Sequence, residues 1–189
     1  MKYIKRFSVP AKACMVATAG ALLMSAVASA DQPALRFNGG IGVIPVSSVA
    51  GCTSNPCTPT SVNRNIVRGV VPPGQIWTIN QLSATVSTNG SIKVSGKGLI
   101  LASGENTGRA PALSVLASLF CGDPTSATES RTSSAGVPFS PTGDFQINDM
   151  LTPPPSITCV SPMRLIRSAG AGNPWFAAGI FNPNPPGQD

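Results

Sequence analysis

Side chains able to do acid–base or nucleophilic chemistry are few in this chain, and histidine is missing altogether. Ser-His-Asp and Cys-His nucleophiles, histidine-bearing zinc hydrolases and histidine-ligated copper or iron sites all need an imidazole, so those classes are excluded. A Ser-Lys nucleophile of the S-x-x-K type does not fit either, because Gly90 and Val94 stand three positions before Lys93 and Lys97. Gly96-Lys97-Gly98 lacks the upstream glycine and the following Ser or Thr of a phosphate-binding loop. Glycosidases need only two carboxylates flanking the scissile bond, which makes Glu105, Asp123, Glu129, Asp144 and Asp149 the residues to test. Asp144 and Asp149 stand five apart, so an unbroken strand points them to opposite faces. Their ordinary reading is a turn-initiating Asp and a solvated strand face. Asp144, Asn148 and Asp149 also offer oxygen donors for calcium, but their spacing fits no EF-hand loop. Neither a metal nor an organic cofactor is expected.

Cysteine is the remaining reactive group, and the first thirty residues set the compartment in which it works. Met1–Lys12 holds Lys2, Lys5, Arg6 and Lys12 with no acid, Ala13–Val27 is an uncharged apolar run, and Ala28-Ser29-Ala30 follows. That order predicts a secretory signal peptide over residues 1–30, cleaved before Asp31, with delivery to the periplasm or the exterior. The run is too short and too rich in small residues for a spanning anchor, so the mature protein is not expected in the membrane. Cys14 opens the run instead of closing it, which argues against a lipoprotein. Cleavage leaves Cys52, Cys57, Cys121 and Cys159, an even set in an oxidising compartment, and disulfides are the expected state. Asn55-Pro56 favours a turn between Cys52 and Cys57, so Cys52–Cys57 with Cys121–Cys159 is the preferred pairing. A C-x4-C spacing without a matching pair or a histidine is poor zinc chemistry.

Cleavage also changes the charge. Four of the thirteen Lys and Arg lie in Met1–Lys12 and all seven acids lie beyond residue 30, so the net charge falls from +6 to +2. The remaining cations are scattered singly or in loose pairs, unlike the clustered stripes that bind phosphate backbones, and no nucleic-acid partner is expected. Residues 31–181 suffice for one ordinary domain, and 182–189 reads as a disordered tail.

The elements that must position any site read as strands. Low charge with abundant Gly, Pro, Ser, Thr, Val and Ile is the composition of short strands joined by turns. Thr88-Asn89-Gly90 lies between two β-rich runs, and Asn-Gly is a strong hairpin signal. A two-residue loop would place Val86 opposite Lys93. A three-residue loop pairs Val86 with Ile92 and Ala84 with Val94, leaves Thr85, Lys93 and Ser95 outward, and is the register expected. Asn89-Gly90-Ser91 also matches the glycosylation sequon, but the turn accounts for all three residues locally. Further strands are expected at Leu35–Val46 with a kink at Gly39-Gly40, at Asn65–Val71, at Gly143–Met150 with Phe145 and Ile147 inward, at Thr158–Arg167 around Pro162, and at Pro174–Phe181. Ala112–Phe120 fits helical spacing as well as alternation, and a strand is favoured because both its faces are partly apolar. The expected fold is all-β: a single antiparallel β-sandwich of seven to nine strands, stapled by disulfides.

The functional expectation follows from missing chemistry and a secretion signal. A secreted or periplasmic, non-enzymatic protein with a structural or interaction-mediating role is the leading reading, its partner class a glycan or a protein. A carbohydrate-binding module using Trp175 and Trp77 as stacking platforms is the alternative, although both rings read more readily as core. A carboxylate glycosidase is third.

Overall fold

A computed structural model describes residues 33–48, 62–156 and 158–183. The leader expected at 1–30, the expected Cys52–Cys57 pair and residues 184–189 lie outside the described residues. In chain order the strands are β1 (Pro33–Gly42), β2 (Val46–Ser48), β3 (Val62–Arg64), β4 (Trp77–Thr78), β5 (Gln81–Ser87), β6 (Ser91–Lys97) and β7 (Ile100–Leu101). They continue with β8 (Ser114–Cys121), β9 (Thr128–Arg131), β10 (Val137–Pro138), β11 (Phe145–Met150), β12 (Met163–Ser168) and β13 (Trp175–Asn182). Every pairing among them is antiparallel. The count exceeds the seven to nine expected because five strands have only two or three residues, too few for a periodic pattern.

The principal sheet runs β10-β8-β12-β13-β1-β5-β6-β11, with β9 also on β8. Its two end strands, β10 and β11, are consecutive in the chain, and the Ser140 amide donates to the Asp144 carbonyl across their connection at 2.9 Å. Arg131 and Thr152 exchange backbone hydrogen bonds of 3.0 and 2.8 Å, tying β9 to the chain leaving β11. The sheet is thus nearly closed, which shortens the unpaired edges open to other chains.

The β5–β6 hairpin has the three-residue loop read from the sequence. Val86 faces Ile92, Ala84 faces Val94 and Thr85 faces Lys93. The Gly90 amide donates to the Ser87 carbonyl at 3.0 Å with φ of +88°, the left-handed residue this loop needs, while Asn89 Oδ1 accepts from the Ser91 amide at 2.8 Å. Ser114–Cys121 is a strand, and its six central residues are all buried, so the run is apolar on both faces for the reason anticipated. In β1 the register slips between Phe37 and Gly40, where the kink was expected.

Two expectations are corrected. Asn65–Val71 is a tight turn and not a strand: Val67 and Val70 exchange backbone hydrogen bonds around Arg68-Gly69, whose φ values of 51° and 78° suit a primed hairpin turn. Pro162 lies outside any strand. The following strand, β12, is internal, between β8 and β13, a position that requires every amide proline lacks.

One apolar cluster unites the inner faces, with Phe37, Leu82, Ile92, Leu99, Val115, Leu119 and Ile166 at 0–2% exposure. Trp77 stacks on Phe176 with centroids 4.2 Å apart and meets Phe139 edge-on at 6.3 Å. Cys121 and Cys159 are disulfide-bonded with Cα atoms 4.9 Å apart, joining the end of β8 to the segment before β12. Arg68 straps the same junction, donating to the carbonyls of Gly122 and Ser161 at 2.8 and 3.1 Å. Among the described residues no helix is long and apolar enough to cross a membrane.

Candidate functional site

The alternation that buries Ala84, Val94 and Ile147 turns their neighbours to the outer face of β1, β5, β6 and β11, and the register aligns those neighbours into rows. One row runs Arg36, Thr85, Lys93, Asn148 across the four strands. The next runs Asn38, Ser83, Ser95, Gln146. Together they line a shallow groove of about 430 Å³, with Ala84, Val94 and Ile147 beneath. The groove holds two cations, three amides and three hydroxyls but no carboxylate.

Electrostatically the groove is uncompensated. Among the described residues both ion pairs use Glu129, so neither Arg36 nor Lys93 has a carboxylate partner. Arg36 Nε is buried and has no hydrogen-bond partner among the described residues. Lys93 is exposed, and its row neighbours Thr85 and Asn148 carry no charge. A flat array of donors and acceptors around two cations without a carboxylate partner among the described residues can hold an anionic or hydroxyl-rich ligand. It contains no pair of carboxylates.

Asp144, Asp149, Trp77 and Trp175, singled out from the sequence, are used elsewhere. Asp144 Oδ1 accepts from the Gly98 amide at 2.9 Å, while Asp149 accepts from the Ser133 and Met150 amides at 2.8 and 2.7 Å. Both carboxylates therefore cap backbone, and Asn148 points to the outer face away from Asp149, so the calcium trio is not brought together. Among the described residues no group of three or more Cys, Asp or Glu is placed to hold a metal ion. Trp77 and Trp175 are buried, at 5% and 3% exposure, and the Trp175 indole donates to the Asn65 carbonyl at 2.9 Å. Neither ring face is presented to solvent as a platform for a sugar. Of the described aromatics only Phe181 is exposed.

No protein-family model, curated protein or solved structure matches this chain.

Nothing local in the sequence marks Arg36, Asn38, Ser83 and Gln146 as parts of one site. The outward alternation of Thr85, Lys93, Ser95, Gln146 and Asn148 was visible, but the groove exists only because β1 lies beside β5 and β11 beside β6. That order links β1 with β5 across the whole of β2 to β4, and no local pattern encodes it.

Proposed function

We propose that the protein is exported to the periplasm or beyond and acts there without catalysis, binding a partner through the outer face of β1, β5, β6 and β11. The observation that carries this reading is the groove itself: Arg36 and Lys93, without a carboxylate partner among the described residues, stand among six neutral polar side chains with no carboxylate in the lining. Export is supported by the basic, apolar and small-residue order of residues 1–30 and by the Cys121–Cys159 bond, which persists in oxidising compartments.

The reading is tested on protein purified from the exporting cell. Intact mass is expected to start at Asp31, and a mass that includes residues 1–30 would overturn the export assignment. Immobilised protein is expected to retain envelope components with unchanged masses and to lose them when Arg36→Ala and Lys93→Ala are combined. Chemical turnover of any retained component would overturn the non-catalytic role.

A further inference from the structure

We infer that this face binds a carboxylated polysaccharide; the inference rests on the face being the contact surface. Arg36 and Lys93 belong to one row and stand two strands apart, a backbone separation of about 10 Å at the usual strand spacing. That separation is about the length of a disaccharide, so an acidic glycan laid across the strands can set carboxylates on both cations. Between and beside them stand Thr85, Ser95, Asn38 and Asn148, side chains that donate and accept and therefore suit sugar hydroxyls.

Other polyanions fit less well for stated reasons. Single-stranded nucleic acid needs aromatic stacking surfaces and a continuous basic groove, whereas these rows carry no aromatic ring and two cations. An anionic lipid surface needs apolar side chains to insert, and the exposed positions of these rows are polar. A protein partner is anchored mainly by buried aromatic and aliphatic groups entering pockets, whereas this groove is shallow and the side chains of its two rows are polar. A neutral glycan would leave Arg36 and Lys93 without counter-charges. A carboxylated one supplies them, and charge-assisted bonds are about twice as strong as neutral ones.

The test is affinity electrophoresis of the purified protein through gels containing polygalacturonate, its fully methyl-esterified form, or dextran. Polygalacturonate is expected to retard the protein, and the two neutral polymers are not. Lys93→Ala with Arg36→Ala is expected to weaken the apparent affinity about tenfold or more, as loss of two charge-assisted contacts requires. Asn148→Asp, which puts a carboxylate in the row at an exposed position, is expected to abolish retardation without altering the melting temperature. Arg109→Ala, an equal loss of charge on the exposed β7–β8 loop, is expected to leave binding unchanged. Equal retardation by dextran, wild-type binding by Asn148→Asp, or preferential binding of an oligonucleotide or of phosphatidylglycerol vesicles would overturn the inference. Retention of an envelope protein through the same face, with no response to polygalacturonate, would end this inference while leaving the interaction role standing.

Discussion

Two arginines buried in this fold show how the same side chain can stabilise or destabilise depending on its partner. Arg164, in β12, is completely buried, and its three guanidinium nitrogens have no hydrogen-bond partner among the described residues. Its guanidinium lies over the Phe37 ring, 5.3 Å from the centroid, and the absent side chain of Gly179 leaves it room. A desolvated cation–π contact returns about 2 kcal/mol, less than the several kcal/mol that burying an ion costs. Burial accordingly lowers its pKa to about 9. Arg164→Met is therefore expected to raise the unfolding free energy at pH 7 by about 1–4 kcal/mol in urea denaturation. The sign of the pH effect follows: above about pH 9 the unfolded chain still holds the proton that the folded chain releases, so wild-type stability rises with pH there. The advantage of the variant should shrink between pH 8 and about 10.5, and a constant advantage would show that burial of the charge is not its cause. Arg167 is the contrasting case, because it donates to Glu129 and to Ser118 Oγ, and its Nε donates to the Asn173 carbonyl at 2.8 Å. Burial lowers its pKa while Glu129 acts in the opposite direction. Glu129→Ala leaves this 8%-exposed cation without its carboxylate and is expected to destabilise by about 2–3 kcal/mol, reduced from the fully buried range because Glu129 is 31% exposed. A thermal shift near zero for Glu129→Ala would refute the role assigned to the pair.

Among the elements, the β5–β6 hairpin shows what local sequence can specify. Its loop length, register and inward face were all legible, because alternation and Asn89-Gly90 agree and a one-residue slip would bury Lys93. Gly90→Ala is expected to cost about 1 kcal/mol, since a Cβ at φ of +88° is strained while its nearest neighbour, Pro155 Cδ, stays at an ordinary 3.5 Å. Gly90→Asn should recover part of that loss, because Asn tolerates the left-handed region, and equal unfolding midpoints for the two variants would show that crowding dominates instead. Other elements were less legible for identifiable reasons. Arg68-Gly69 makes a hairpin turn without the Asn-Gly or Asp-Gly signal, so the apolar residues around it read as a strand. Thr128–Arg131 and Val137–Pro138 are strands because the edge of β8 offers partners, with the Thr132 hydroxyl accepting from the Ala117 amide at 3.0 Å between them. Their own sequences carry almost no periodicity. The groove depends on the same kind of information, since its residues become neighbours only through strand order, although their outward orientation was readable.

At the level of the whole molecule, near-closure of the principal sheet and the Cys121–Cys159 bond constrain the chain in different ways. The backbone bonds between Arg131 and Thr152 and between Ser140 and Asp144 act in the folded state, holding together strands from opposite ends of the sheet order. The disulfide acts mainly on the unfolded chain, closing a loop with a sequence separation of 38, for which the chain-entropy relation gives about 4 kcal/mol. The folded junction has redundant support, since the Gly122 amide donates to the Val160 carbonyl at 2.7 Å and Arg68 holds Gly122 and Ser161 from the other side. Replacing both cysteines, Cys121→Ala with Cys159→Ala, should therefore leave the fold and the groove intact while lowering the unfolding free energy by about 2–4 kcal/mol. Denaturant titration of the non-reduced proteins measures the loss, and polygalacturonate retardation under native conditions reports whether the groove survives. If the unfolding midpoint falls while retardation stays at the wild-type level, the bond stabilises the protein without shaping its binding face. Loss of retardation in a variant that remains folded would instead mean that the disulfide junction and the β1–β5–β6–β11 face are mechanically linked through the sheet, contrary to the local support seen at Gly122 and Ser161.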